Sequence, residues 1–256
     1  MLKSAAMNRP TSLRGAAVSP TFSPLYRQIK DLMMRSLEAG EWRPGDAIPS
    51  ETELAAHFQV SQGTVRKAID EMAAENLLIR RQGKGTFVAT HDDPRAFFRF
   101  LRLMPNQGVI GNSDSIPLDC WRAPAGPEVA AALGVAADDV VVCVKRLLKF
   151  DDRPVVYDEI YLLADLFGDL TLDVLTDSQQ SLYSLYESRY GVRMIRAEER
   201  LRAVAAGGEA ASLLGVSEQS PLLLVERTAF TYANKPVEWR RGFYLTTDFH
   251  YLNELA

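Results

Sequence analysis

VSQGTVRKAIDEMAAENLLIRRQGKGTFV, residues Val60–Val88, decides how the first third of the chain is read. Ser61 suits a helix N-cap, because its hydroxyl accepts from a free backbone N–H of the first turn. Val65, Ala68, Ile69 and Met72 follow at helical spacing, with Thr64, Arg66, Lys67, Asp70 and Glu71 elsewhere on the helix. Leu77–Arg80 and Thr86–Val88 read as short strands around a glycine-rich, basic tip, Arg81–Gly85. Three readings compete: a groove-reading element, a phosphate-cradling loop, or a helix packed on a hairpin. QGKGT lacks the G-x-x-x-x-G-K-[ST] spacing, and the leading strand and following helix of a P-loop are missing, so the second falls away.

Upstream residues favour the first. Pro24 can open a helix, since its fixed φ suits the first turn. Leu25, Ile29, Leu32, Met33 and Leu37 give that helix an apolar pattern, and Gly40 ends it. RPGDAIP (Arg43–Pro49) reads as a turn and extended link. Ser50 with Glu53 three residues on makes a capping box for a short second helix carrying Leu54, Ala55 and Phe58. Helix, helix, short turn, helix, hairpin is a winged helix-turn-helix. In that motif the first turn of the last helix faces base edges, here Ser61, Gln62, Gly63 and Thr64, with Arg66 and Lys67 behind. Gln pairs bidentately with adenine and Arg with guanine. Gly63 admits a close backbone approach, and Thr64 suits a phosphate or a thymine methyl. Gly83, Lys84 and Gly85 form a thin tip for a minor groove, and Arg80 and Arg81 suit the flanking phosphates.

Net charge is −4 over 256 residues, but Met1–His91 carries 12 Lys and Arg against 9 Asp and Glu. A basic first third on an acidic remainder fits a polyanion-binding head on a body with another task. The expected division is a disordered lead-in over 1–21, the winged head over 22–90, a linker over 91–96 (HDDPRA) and a body over 97–256. No apolar run reaches membrane-spanning length and no secretion signal is evident, so the expected location is the cytoplasm. Cys120 and Cys143 suit a reduced compartment without a disulfide framework. His57, His91 and His250 are too scattered for a metal site, and no cofactor loop is present. His57 is expected to pack near the end of the second helix.

The body repeats itself. EVAAALGVAADDVVVCVKRLLKFDDRPVVYDE (Glu128–Glu159) aligns with EAASLLGVSEQSPLLLVERTAFTYANKPVEWRR (Glu209–Arg241) at an offset of 81, then 82, residues. Each copy is a short helix, a long apolar strand, a polar turn and a second strand starting at proline. A pseudo-symmetric domain with four long strands in one antiparallel sheet is expected, giving an α+β chain overall. Pockets commonly form between such halves.

On PLYRQI, RPGDAIPSETELAAHFQVSQGTVRKAI and GKGTFV, residues 24–88 resemble the DNA-binding part of GntR-family bacterial transcription regulators. The resemblance implies DNA contacts at Thr52, Gln62, Gly63, Thr64, Arg66 and Gly83. Thr52 and Gln62 stand where many members carry guanine-reading arginines, so an operator unlike the family's usual one is expected. On VKRLLKFDDRPVVYDEIYL and PVEWRRGFYL, residues 97–250 resemble the UTRA effector-binding domain of the HutC-like branch, with a chorismate-lyase-like fold. That implies an effector pocket at Arg146, Asp158 and Tyr244, with Arg102 as a further anion contact. Leu148 stands where sugar-phosphate binders often have a second arginine. A carboxylate, an amino acid and an aromatic acid are therefore as eligible as a sugar phosphate.

The expectation is a ligand-responsive, homodimeric repressor on a palindromic double-stranded operator, without cofactor, metal or membrane. One alternative is a lyase-like enzyme. Asp158 and Glu159 are adjacent, however, so on a strand they face opposite sides and cannot act as a paired acid and base. Another is a DNA-binding module controlled by a protein partner.

Overall fold

The structure is a computed structural model, and it describes residues 23–92, 101–108 and 113–253. The expected lead-in over 1–21 and most of the expected linker lie outside the described residues.

Three helices build the head: α1 (Leu25–Glu38), α2 (Glu51–Phe58) and α3 (Gln62–Ala74). On α1, Ile29, Met33 and Leu37 are buried at four-residue spacing, while Leu25 and Leu32 of the sequence pattern stay exposed. Ser50 and Glu53 form the capping box that starts α2, and Ser61 Oγ accepts from Thr64 N at 3.2 Å to start α3. Val65, Ala68, Ile69 and Met72 close onto α1 and α2 in one apolar cluster. The wing is β1 (Leu78–Arg81) and β2 (Gly85–Val88), paired from Leu78↔Val88 to Arg81↔Gly85. Gly83 and Gly85 sit at φ of +70° and +109°, where an L side chain strains the backbone, so the tight tip needs glycine. The RPGDAIP link runs along β2, with Ala47 bridged to Phe87.

Among the described residues, the body is built on six antiparallel strands in the order β4-β5-β6-β9-β8-β7, two more than the repeat alone suggests. They are β4 (Ser113–Pro124), β5 (Val140–Phe150), β6 (Arg153–Leu163), β7 (Arg196–Ala205), β8 (Pro221–Phe230) and β9 (Pro236–Tyr244). Helices α4 (Gly126–Leu133) and α7 (Gly208–Leu214) precede β5 and β8. Between β6 and β7 come α5 (Leu172–Asp177) and α6 (Leu182–Tyr190). A small ribbon of β3 (Leu103–Pro105) and β10 (Phe249–Tyr251) pairs separately and packs against the sheet, with Phe249 on Phe150.

The strand order is itself symmetric. At an offset of 82, Glu159 is equivalent to Arg241, and the two are register partners of β6 and β9, so the pseudo-dyad passes between them. Both hairpins carry the same irregularity, between Leu148 and Lys149 in one and Ala229 and Phe230 in the other. Each faces a strand that opens at Pro154 or Pro236. Proline offers no N–H to the ladder, which is why it settles at a strand start beside a bulge. Helices α4 and α7, equivalent under the pseudo-dyad, pack on one face of the sheet, α4 on β9 and α7 on β6, with Leu147, Tyr157 and Leu222 against Ala210, Ala211 and Leu214 of α7. Helices α5 and α6 cover the other face, where Tyr183 of α6 donates to Glu238 of β9.

Candidate functional sites

The exposed start of α3 and the wing tip lie on the head. Gln62, Gly63, Arg66 and Lys67 are exposed at the helix start, and Gly83 and Lys84 at the tip. Packing does not demand glycine at position 63, where an added Cβ meets only Ser61 Oγ at 3.9 Å. Ser61 and Thr64 share a 2.8 Å hydroxyl contact, so both belong to the cap as much as to the surface. Thr52 is exposed on the first turn of α2. Lys67 Nζ sits 4.0 Å from the centroid of the Tyr26 ring, and the Arg81 guanidinium 4.6 Å from that of Phe87. Cation–π contacts seat both charges over aromatic rings of the head. Arg80 pairs with Asp70 at 2.6 Å and with Glu51 at 3.2 Å, so it is spoken for within the protein. Glu51 also takes Arg66, at 2.8 Å, and that contact holds its carboxyl below the usual range. His57 is exposed, its ring edge-on to Phe58 rather than packed into the core.

A cavity of about 490 Å³ opens on the α6 side of the sheet. Arg146 and Tyr244 of the sequence expectation line it, beside Arg227, Arg240, Tyr183, His91, Leu101, Leu148, Ser115 and Gln180. Asp158 is not on the wall. It is 1% exposed and lies behind the arginines, taking Arg146 at 2.7 Å and Arg240 at 3.3 Å. Arg102 does not reach the cavity; it sits between buried Leu101 and Leu103 and donates to the Asn253 side chain.

The repeat explains the extra arginines. In the first half Arg146 is the register partner of Asp158. The equivalent positions in the second half are Arg227 and Arg240, also register partners. The acid of one copy is a base in the other, so the broken symmetry places three guanidiniums on one face. Carboxylates answer each. Arg227 is 2.6 Å from Glu199, and Arg240 is 2.9 Å from buried Glu238. Burial opposes charge on Arg240, but Glu238, Tyr183 and Asp158 outweigh it and lift its pKa well above the usual range. Burial pushes the Tyr183 hydroxyl up to about 12, so it remains a donor, and it donates to Glu238 at 2.8 Å. Reading the two copies side by side pairs Asp158 with Arg240, a signal the sequence did contain.

The cavity also touches the chain leaving the head. The His91 ring lies 5.5 Å from that of Tyr183 on α6. One turn further along α6, Glu187 accepts from the Thr90 hydroxyl and from His91 N at 3.2 Å. Arg193, just after α6, is 3.5 Å from Glu187 and donates to the carbonyls of Asn76 at 3.0 Å and Leu77 at 3.3 Å, at the end of α3. Burial raises the Glu187 carboxyl, against the pull of Thr90, Arg193 and His91. Nothing in the local sequence pattern marked Thr90, Glu187 or Arg193.

A three-helix head with a wing and a pseudo-symmetric, arginine-lined body together define the class of ligand-binding transcription regulators. Residues 25–88 match the family described as bacterial regulatory proteins, gntR family, and residues 112–250 match the UTRA domain. The chain belongs to the GntR family of regulators that carry a UTRA domain. It is 29% identical over 239 residues to the HTH-type transcriptional repressor NagR of Bacillus subtilis, covering 91% of this chain and 96% of that one. It is 28% identical to the mannosyl-D-glycerate transport/metabolism system repressor MngR of Escherichia coli, covering 89% and 94%. Among solved structures, the ligand-binding domain of a GntR-family regulator from Bordetella bronchiseptica is 47% identical with a TM-score of 0.60, covering 62% of this chain and 98% of that one.

Proposed function

We propose that this regulator is a cytoplasmic, homodimeric repressor that binds a palindromic operator through the α3 start and the wing, over a head of 22–90. A body of 97–256 takes a small acid in the arginine-lined cavity and thereby releases the DNA. Both relatives named above are repressors by name, which supports repression. The observation that carries the reading is the continuity of the cavity wall with the head. His91 and Tyr183 line the cavity, and Glu187 and Arg193 tie that wall to Thr90 and to the end of α3. A ligand that fits differently when this junction is made and when it is open must shift the balance between the two arrangements.

Charge selects the ligand class. Each cavity arginine already faces a protein carboxylate, so the wall offers hydrogen-bond donors with little uncompensated charge. A single carboxylate suits that wall better than a phosphate dianion. Leu101, Leu148, Tyr183 and Tyr244 give the rest of the molecule an apolar seat. The test is a thermal-shift panel of monocarboxylates against matched phosphate monoesters, followed by mobility-shift assays on DNA flanking the protein's own gene. Monocarboxylates should raise the melting temperature, and the same acids should weaken the DNA complex. No sequence-selective shift on that DNA would refute the repressor reading, and a response confined to phosphate esters would refute the ligand class.

A further inference from the structure

The Glu51 carboxylate sits between α2 and α3 and collects three side chains. Its Oε2 accepts from Gln62 Nε2 at 3.3 Å and from Arg66 Nε at 2.9 Å, while Oε1 takes Arg80 at 3.2 Å. Its own side chain is only 17% exposed, so it sits beneath the residues it holds. A carboxylate is acceptor-only, whereas a glutamine amide has two N–H donors at one end and an acceptor at the other. A carboxylate under Gln62 therefore admits the amide in one of its two flips, nitrogen inward. One N–H and the carbonyl oxygen remain for a partner, the pair that adenine's N7 and N6–H₂ require.

We infer that Glu51 is a positioning residue for base recognition, fixing the Gln62 amide in the adenine-reading orientation without touching DNA itself. The inference rests on the reading of α3 as the base-reading helix. Arg66 is constrained by the same carboxylate: its Nε edge is used, and its far end is left to face outward. Ordinary packing does not explain the arrangement, since Gln62, Arg66 and Arg80 are all exposed.

The experiment is selection from a random double-stranded DNA library at fixed salt, with the full chain as wild type, E51Q, Q62A and E51Q/Q62A. Glutamine has nearly the shape of glutamate but offers both donor and acceptor, so E51Q lets the Gln62 amide turn over. The wild type should select adenine at one position per half-site by about tenfold, the scale of a bidentate base contact. E51Q should cut that preference below about threefold, within the same scale, and leave the other positions unchanged. The double variant should match Q62A at that position, as coupled residues do. E51Q should also bind DNA more tightly overall and with a salt slope steeper by about one, because Arg66 loses its acid while Arg80 keeps Asp70. Unaltered adenine preference in E51Q, or equal weakening at every position, overturns the inference. A wild type that enriches no sequence overturns the DNA-reading assignment and this inference with it.

Discussion

At the residue scale, Gly242 shows how tightly the cavity's back wall is set. A Cβ there would lie 2.4 Å from Tyr244 Cε2 and 2.8 Å from Asp158 Oδ1, closer than packing allows. Gly242 is also the register partner of Asp158 across the centre of the sheet. Gly242→Ala should therefore destabilise the protein by about 1–3 kcal/mol, the usual cost of overpacking. It should also displace a wall residue and an arginine brace together. Urea unfolding measures the first effect, and loss of the monocarboxylate thermal shift reads the second. Asp158→Ala acts differently. It strands Arg146 and Arg240 with less compensation, and breaking a buried pair from one side costs roughly 3–5 kcal/mol. A loss below about 1 kcal/mol in urea would mean that water or Glu238 already satisfies both arginines. The resemblance brought Arg146, Asp158 and Tyr244 to one neighbourhood, yet the division between wall and brace was not legible. That division depends on depth below the sheet surface, which alternation along a strand does not encode.

At the element scale, the parts that the sequence showed plainly are those whose determinants lie within a few residues of one another. Ser50 and Glu53 close a capping box, with Ser50 N donating to Glu53 Oε2 at 2.8 Å. Ser61 caps the next helix the same way. Ser61→Ala should cost about 1 kcal/mol. It should also loosen the first turn of α3, so DNA affinity falls while monocarboxylate binding by the body does not. Equal losses at both sites would show that the cap supports the whole fold rather than the reading turn. The edge strands were illegible for the opposite reason. RAEERLRAVA of β7 is rich in Ala, Glu and Arg, residues that favour helix in isolation. It is a strand because ten consecutive residues pair with β8, from Arg196↔Phe230 to Ala205↔Pro221. On β4 the exposure pattern is irregular, and Pro117 marks a register shift. An edge strand with one free side shows little of the alternation by which a strand is read.

At the scale of the whole molecule, head and body are joined by residues about a hundred positions apart, beyond the reach of any local pattern. Thr90 and His91 bond to Glu187, and Asn76 and Leu77 to Arg193. Tyr232 and Ile195 of the body also pack on the apolar cluster of the head. If this junction carries the ligand signal, weakening it should separate two quantities that are linked in the wild type. Arg193→Lys keeps a charge near Glu187 but gives up the planar fork that reaches two carbonyls at once. The variant should bind the stabilising monocarboxylate with nearly unchanged affinity, because Arg193 does not line the cavity. It should bind operator DNA as well as the wild type does without ligand, because the reading turn lies at the opposite end of α3. The factor by which ligand weakens DNA binding should fall toward one, from a wild-type value expected between about 5- and 150-fold. Titrating DNA at several ligand concentrations measures all three quantities in one data set. Full coupling in Arg193→Lys would move the signal elsewhere, to the Thr90 and His91 contacts with Glu187 or to an interface between two protomers. Glu187→Gln then separates those routes. The amide still accepts from Thr90 and His91 N but no longer pairs as an anion with Arg193, so coupling lost only on replacing Glu187 by Ala would place the signal in the Thr90–His91 arm.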